Sequence, residues 1–300
     1  MYAITGATGH TGNVIVKALL AKGEKVRVIG RHADHLKPFA TQGAEPFVAD
    51  VTDTASLAKA FTGAKAVYVM IPPNPSTPDV FGYQKRVADA MAAALRSAGV
   101  THVVTLSSMG ADKPAKTGPV VGLHYLEQQL NSIDRLNALH LRAGYFMENT
   151  LPQVGAIQKT GTVAGALRPD LKTPMIATRD IGAAAAQALL NLNFRQKQTR
   201  ELHGQRDISY SDVAAIIGKA IGKPNLRYTQ APNEQVRGIF IQLGMSPNMA
   251  DSLLEMCGSM NSGYMRALEP RSTQNTTPTS YETFVAEEFV PLYQGKSAAA

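Results

Sequence analysis

The sequence predicts an α/β protein, a doubly wound parallel sheet joined to a smaller α/β C-terminal unit. Through the first half of the chain, short apolar or β-branched runs alternate with segments of helical apolar spacing, the pattern of βαβ units. The runs are apolar at nearly every position, as expected of strands buried on both faces by covering helices. A glycine-rich turn, Gly6-Ala7-Thr8-Gly9-His10-Thr11-Gly12, connects the first run to the first helical segment.

Taken in order, the predicted strands are Tyr2–Thr5, Lys25–Ile29, Ala66–Ile71, His102–Leu106 and Ala138–Arg142, with a further short strand before Asp50. Helices are expected over Thr11–Ala21, Thr54–Phe61 and about Phe81–Ala98, each closing at a glycine (Gly23, Gly63, Gly99) that tolerates the left-handed conformation of a helix stop. A helix over about Gly122–Ile133 leads into the Ala138 strand. Past Asn149 the alternation fails. The predicted boundary is therefore 1–156 for a nucleotide-binding domain and 157–300 for a smaller ligand-binding domain, with a helix at about 176–195 returning to the first. Asp180 is expected to cap the Ala-rich helix Ile181–Leu192. A second capped helix, Asp212–Ala220, precedes a strand at Leu226–Thr229. Asn233–Leu268 reads as helical, with Met245, Met249, Met256, Met260 and Met265 along it, either as core filler or as a pliable apolar pocket. A frayed tail is expected from Gly295 to Ala300.

With 300 residues, 44% of them hydrophobic, the chain can bury a sizeable core. The single cysteine, Cys257, forms no internal disulfide and supplies no thiolate zinc site, so no metal is expected. There is no signal-peptide pattern and no long apolar run, which points to a cytoplasmic protein without membrane association. The net charge of +7 could favour a polyanion, but the basic residues are scattered and not interleaved with aromatics, which argues against nucleic acid.

The glycine turn is the chemically informative motif. In a G-x-x-G-x-x-G spacing after a strand and before a helix, Gly6 permits the tight turn, Gly9 lets a pyrophosphate approach the backbone, and Gly12 lets helix and strand pack closely. The helix start then offers free N–H groups and a positive dipole end to an anion, with Thr8, His10 and Thr11 beside it. This is the dinucleotide site of a Rossmann-type fold. At the end of the second strand, Arg31 stands where an NAD site usually keeps an acidic residue for the ribose 2′-hydroxyl. A guanidinium pairs with a 2′-phosphate, so NADP(H) is expected over NAD(H), with His32 or Lys37 sharing the charge. Asp50 and Val51 could meet the adenine end or serve only as loop and cap.

These pieces resemble the NmrA-like branch of the atypical short-chain dehydrogenase/reductases over nearly the whole chain. The resemblance rests on the glycine turn, Arg31, Val48-Ala49-Asp50, Ser107-Ser108, the run Leu141 to Asn149, Thr178 to Ile181, and Thr277 to Phe284. It implies a Rossmann domain holding NADP, a smaller C-terminal domain and a cleft between them for a second ligand. The branch includes NAD(P)H-dependent quinone, azo-dye and triphenylmethane-dye reductases, as well as cofactor-binding regulators without turnover.

Catalytic members of the wider superfamily use Ser with a Tyr-x-x-x-Lys pair, one helical turn placing the lysine beside the phenol whose pKa it lowers. Here Val120 and His124 fall at the tyrosine and lysine positions, and no nearby tyrosine has a lysine four residues on. Carbonyl reduction to an alkoxide wants a positioned acid, whereas hydride delivery into a conjugated quinone or dye needs little proton relay. An NADPH-dependent reductase of a conjugated, electron-poor molecule is therefore expected. An NADP(H)-binding redox sensor that signals to a protein partner is the alternative. His124 could protonate product, since histidine exchanges protons near neutral pH, or could only hold the nicotinamide ribose. Ser108, with Ser107 as the neighbouring register, is the candidate serine. Ile71 and Pro72 could cover the nicotinamide ribose, and Tyr145 and Phe146 could wall the acceptor site or merely pack the domain junction. Glu148 and Asn149 could meet a ligand or cap the departing chain.

Overall fold

The computed structural model describes residues 1–296, so the end of the expected C-terminal tail lies outside the described residues. The chain begins β1 (Tyr2–Thr5), α1 (His10–Ala21), β2 (Val26–Gly30), α2 (Ala33–Ala40), β3 (Glu45–Val48), α3 (Thr54–Phe61), β4 (Ala66–Val69) and α4 (Val80–Ser97). It continues through β5 (His102–Ser108), α5 (Val120–Asn131) and β6 (Asn137–Ala143) into β7 (Tyr145–Phe146), a 3-10 turn at Met147–Thr150, α6 (Gln153–Thr160), β8 (Val163–Gly165) and β9 (Thr173–Ile176). The Ala-rich helix α7 (Thr178–Asn191) and β10 (Lys197–Leu202) follow. Then come β11 (Asp207–Ile208), α8 (Tyr210–Ala220), β12 (Tyr228–Gln230), α9 (Asn233–Gln242) and α10 (Pro247–Asn261). The described chain closes with α11 (Tyr281–Phe284), a π turn at Val285–Phe289 and α12 (Val290–Tyr293).

Seven strands form one sheet in the order β10-β6-β5-β4-β1-β2-β3, every pair parallel. Parallel pairs require crossovers, and the helices that supply them cover both faces. On one face Ile4 and Val28 pack with Ile15, Leu19 and Leu36, and with Ile181 and Leu189 of α7. On the other, Ala3, Val67 and Val103 meet Leu57, Met91, Leu95 and Leu126 of α3, α4 and α5. The strand order reverses between β1 and β4, which opens a crevice at the C-terminal strand ends.

The large sheet recruits chain beyond residue 156 twice, since α7 lies on the α1 face and β10 pairs along the whole of β6. The remainder builds a second core around Ile157, Tyr210, Ile217, Phe284 and Phe289, with β11, β9 and β7 in one small sheet and β12 and β8 in another.

Local differences from the sequence reading have simple causes. The N-cap of α7 is Ala177, not Asp180: the Asp180 carboxylate instead accepts from the backbone N–H and hydroxyl of Thr279, tying the late chain to the helix. Ser209 caps α8 through a reciprocal capping box with Asp212, so that helix starts at Tyr210, ahead of the expected Asp212. The long helical stretch breaks at Leu243–Ser246 and ends at Asn261, where Gly244 and Gly263 take positive φ. The strand expected at Leu226–Thr229 forms at Tyr228–Gln230. Helix α2, which carries Pro38 internally, has no counterpart in the reading above.

His140 of β6 is fully buried between Thr105 Oγ1 at 3.2 Å and Asn131 Oδ1 at 3.0 Å. One neutral tautomer satisfies both: Nε2–H donates to Asn131 and Nδ1 accepts from Thr105. Burial pushes its pKa down to about 4. Between the unfolded value near 6.5 and about 4 the unfolded chain binds the extra proton, so stability is intact above this window and declines as pH falls through it. Thermal unfolding followed across pH 7 to 4 is expected to show that decline, about 3 kcal/mol when complete. His140→Gln is expected to flatten it, whatever the variant's absolute Tm.

Candidate functional site

At the end of β1 the chain turns at Gly6, whose φ is +64°, and the Gly9 N–H closes the turn on the Gly6 carbonyl at 3.0 Å. A Cβ on Gly12 would stand 2.1 Å from that carbonyl oxygen, so only glycine allows α1 to sit this close to the turn. Helix α1 has Gly9 at its N-cap, no side-chain cap and no acidic residue in its first turn. Its first N–H groups are therefore free for an outside acceptor, and Thr8, Gly9 and His10 are exposed there. Thr11 is turned inward, its hydroxyl accepting from Tyr68 at 3.1 Å.

An anion suits an uncapped N-terminus of this kind at a topological switch point. The residues present fit the pyrophosphate of a dinucleotide. Arg31 is exposed at the end of β2 and, among the described residues, makes no salt bridge. It stands near Asp50 and Tyr83. One oxygen of Asp50 accepts from the Thr52 hydroxyl (2.6 Å) and N–H (2.8 Å), which with Arg31 nearby holds the carboxyl below its usual range. Val51 is half-buried against the α3 side of the core.

Beside the glycine turn lies a cavity of about 420 Å³. Ile71 and Pro72 form one lip, the ends of β5 and β7 the floor, and Met249, Met256, Met260 and Met265 the far wall. No charged side chain lines it. Its far wall is held across the cleft by two hydrogen bonds, Ser246 N–H to the Pro75 carbonyl (2.9 Å) and Val80 N–H to Asn248 Oδ1 (2.8 Å). Among the described residues no cluster of His, Cys, Asp and Glu could hold a metal, and no helix is long and apolar enough to cross a membrane.

The cavity brings together Ile71, Pro72, Ser107, Ser108, Tyr145, Phe146 and Asn149 from the sequence reading. It does not include His124, whose Nδ1 lies 2.8 Å from the Ala111 carbonyl and so carries the proton, leaving Nε2 as an acceptor. Ser108 donates to the Met109 carbonyl at 2.9 Å. Glu148 is a cap: one of its oxygens accepts from the N–H (2.8 Å) and hydroxyl (2.5 Å) of Thr178 at the start of α7. Tyr83 and Gln84, one turn into α4, also line the cavity, and nothing in their sequence surroundings marks them. The methionine wall had a legible signal, the spacing of Met249, Met256 and Met260 along one helix.

Beneath Ser107 lies a buried ion pair. Glu127 meets Arg142 bidentately (Nε to Oε1 3.0 Å, Nη2 to Oε2 2.6 Å) and accepts from the Ser107 hydroxyl at 2.6 Å. Its side chain is 2% exposed and that of Arg142 14%. Removing one partner strands the other charge, whereas replacing both with apolar groups of similar volume is often close to neutral. Glu127→Leu is thus expected to lower unfolding free energy by about 3–5 kcal/mol in urea titrations, and the double variant Glu127→Leu/Arg142→Met to recover most of that loss.

The chain belongs to the NmrA-like family, whose model matches residues 2–290. It is 28% identical over 258 residues to an NAD(P)H azoreductase of Xenophilus azovorans, covering 85% of this chain and 86% of that one. It is 27% identical over 270 residues to a (4-alkanoyl-5-oxo-2,5-dihydrofuran-3-yl)methyl phosphate reductase of Streptomyces griseus, covering 90% of each. In fold it matches the NADPH-dependent quinone oxidoreductase of Escherichia coli solved with NADPH, with a TM-score of 0.74 and 23% identity over 98% of this chain and all of that one.

Proposed function

We propose that this NmrA-like protein is an NADPH-dependent reductase of a conjugated, electron-poor small molecule of the quinone or dye type. The observation that carries the reading is the juxtaposition of an uncapped, glycine-cradled helix end with an uncharged apolar cavity at the same switch point. The named activities of the related azo, furanone and quinone reductases support it. The lack of charge on the cavity wall favours an uncharged acceptor over a phosphorylated one.

Bound NADPH would supply the hydride. The protein's part is to hold and orient. The free N–H groups at the start of α1 take the pyrophosphate, and Arg31 takes the 2′-phosphate, with NADH the weaker ligand for lack of that group. Ile71 and Pro72 cover the nicotinamide end, and His124, with Nε2 as an acceptor, suits a ribose hydroxyl. Phe146 and the α10 methionines present an apolar wall that excludes water and adapts to a planar acceptor.

The experiment is loss of NADPH absorbance against a panel of quinones, azo dyes and triphenylmethane dyes, with cofactor binding followed by fluorescence. Protein-dependent consumption with one acceptor class is expected. Binding without consumption across the panel would overturn the reductase and leave a cofactor-responsive regulator with a protein partner. Arg31→Ala is expected to weaken NADPH binding by about 1.5–3 kcal/mol, the scale of a hydrogen bond to a charged group, with little change for NADH. Equal losses for both cofactors would remove Arg31 from the 2′-phosphate.

A further inference from the structure

The residues lining the cavity carry four hydroxyls, those of Tyr83, Ser107, Ser108 and Tyr145. Three are committed as donors: Tyr83 to the Pro72 carbonyl (3.2 Å), Ser107 to Glu127 (2.6 Å) and Ser108 to the Met109 carbonyl (2.9 Å). The fourth, Tyr145, shares a 3.2 Å hydrogen bond with the Tyr210 hydroxyl, and the hydrogen-bond inventory decides its direction. Tyr210 is 7% exposed, and among the described residues its hydroxyl has no other partner. The neighbouring Tyr228 hydroxyl already donates to the Leu167 carbonyl at 2.8 Å. Were Tyr145 the donor, the Tyr210 proton would be buried without an acceptor, at a cost of about 1–3 kcal/mol. Tyr210 therefore donates, Tyr145 accepts, and the Tyr145 proton is left for the cavity side, where the Asn149 side chain stands beside it.

We infer that Tyr145 is the polar recognition point for the acceptor, donating a hydrogen bond to a conjugated oxygen or nitrogen of the molecule held in the cavity, with the Asn149 amide at its side. The inference rests on the proposed reductase reading and adds a specificity rule to it. A quinone, an enone or an azo compound offers a lone pair whose negative charge grows as the molecule is reduced, so this bond strengthens along the reaction. A triphenylmethane cation accepts at carbon and offers no lone pair there. Burial raises the pKa of Tyr145 and of Tyr210, so both phenols keep their protons at neutral pH.

The test uses a complex that cannot turn over. Full-length protein loaded with NADP⁺ is titrated calorimetrically with 2,3-dimethyl-1,4-naphthoquinone and, separately, with 2,3-dimethylnaphthalene, in the wild type and in Tyr145→Phe. Wild-type protein is expected to prefer the quinone, and Tyr145→Phe to raise the quinone Kd about tenfold while leaving the hydrocarbon unchanged. Retained NADP⁺ affinity reports that the variant is folded. An unchanged quinone Kd, an equal loss for both ligands, or no wild-type preference for the quinone would overturn the assignment. Because no hydride moves, this result is independent of NADPH consumption. A reductase without Tyr145 recognition and a non-reducing protein with it give different pairs of outcomes.

Discussion

The close approach of α1 to the turn after β1 is the constraint from which the rest of the architecture follows. With no Cβ at Gly12, the helix comes close against the Gly6 carbonyl, and with glycine also at the N-cap its first N–H groups carry no side-chain cap. The same crowding continues outward. A Cβ on Gly182 of α7 would lie 2.8 Å from the Thr11 carbonyl oxygen and 2.7 Å from Val14 Cβ, so α7 can lie on α1 only because that position is bare. Sheet, α1 and α7 are thereby stacked at separations that glycines set, and the late chain is brought back to the edge of the sheet as β10.

The first domain was legible because its signals are local. Continuous apolar runs mark strands covered on both faces, and Gly23, Gly63 and Gly99 all take positive φ where the helices stop. The glycine turn was legible for the same reason. What escaped was set by tertiary packing and pairing that local propensity does not show. Asp180 has the appearance of an N-cap, yet Thr279, about a hundred residues later, takes its carboxylate. Helix α2 contains Pro38, which argues locally against a helix, but Leu36 and Phe39 are buried under β2 and β3 and hold it in place. Residues 197–202 are mostly polar in sequence, and strand β10 gains its place by pairing with β6 and not by its own hydrophobicity.

The cavity shows the same division. Ile71 ends a predicted strand, and Pro72, Tyr145 and Phe146 follow predicted strands, so topology alone places them at the strand ends. Tyr83, Gln84 and the wall of α10 reach the cavity from helices whose position depends on the second core and on the links at Ser246 and Asn248. No short-range pattern encodes those links. His124 takes its place from α5, where the Ala111 carbonyl holds Nδ1 and the ring lies outside the cavity lining.

The departure from the Tyr-x-x-x-Lys pattern then has a structural reading. A lysine on α5 would bring a mobile cation to a wall that is otherwise uncharged. In this chain the cation near the end of β5 is Arg142, fixed beneath the wall by Glu127 and spent on it in both forks of its guanidinium. Ser107, which touches the cavity, is bound into that pair and has its proton directed away from any ligand. The hydroxyl left over comes from β7, on the opposite side of the floor, and its phenol is backed by another phenol instead of an ammonium. Such a donor polarises an acceptor without giving up its proton. That chemistry suits molecules that can spread added charge over a conjugated frame and does not suit those that must collapse to an alkoxide.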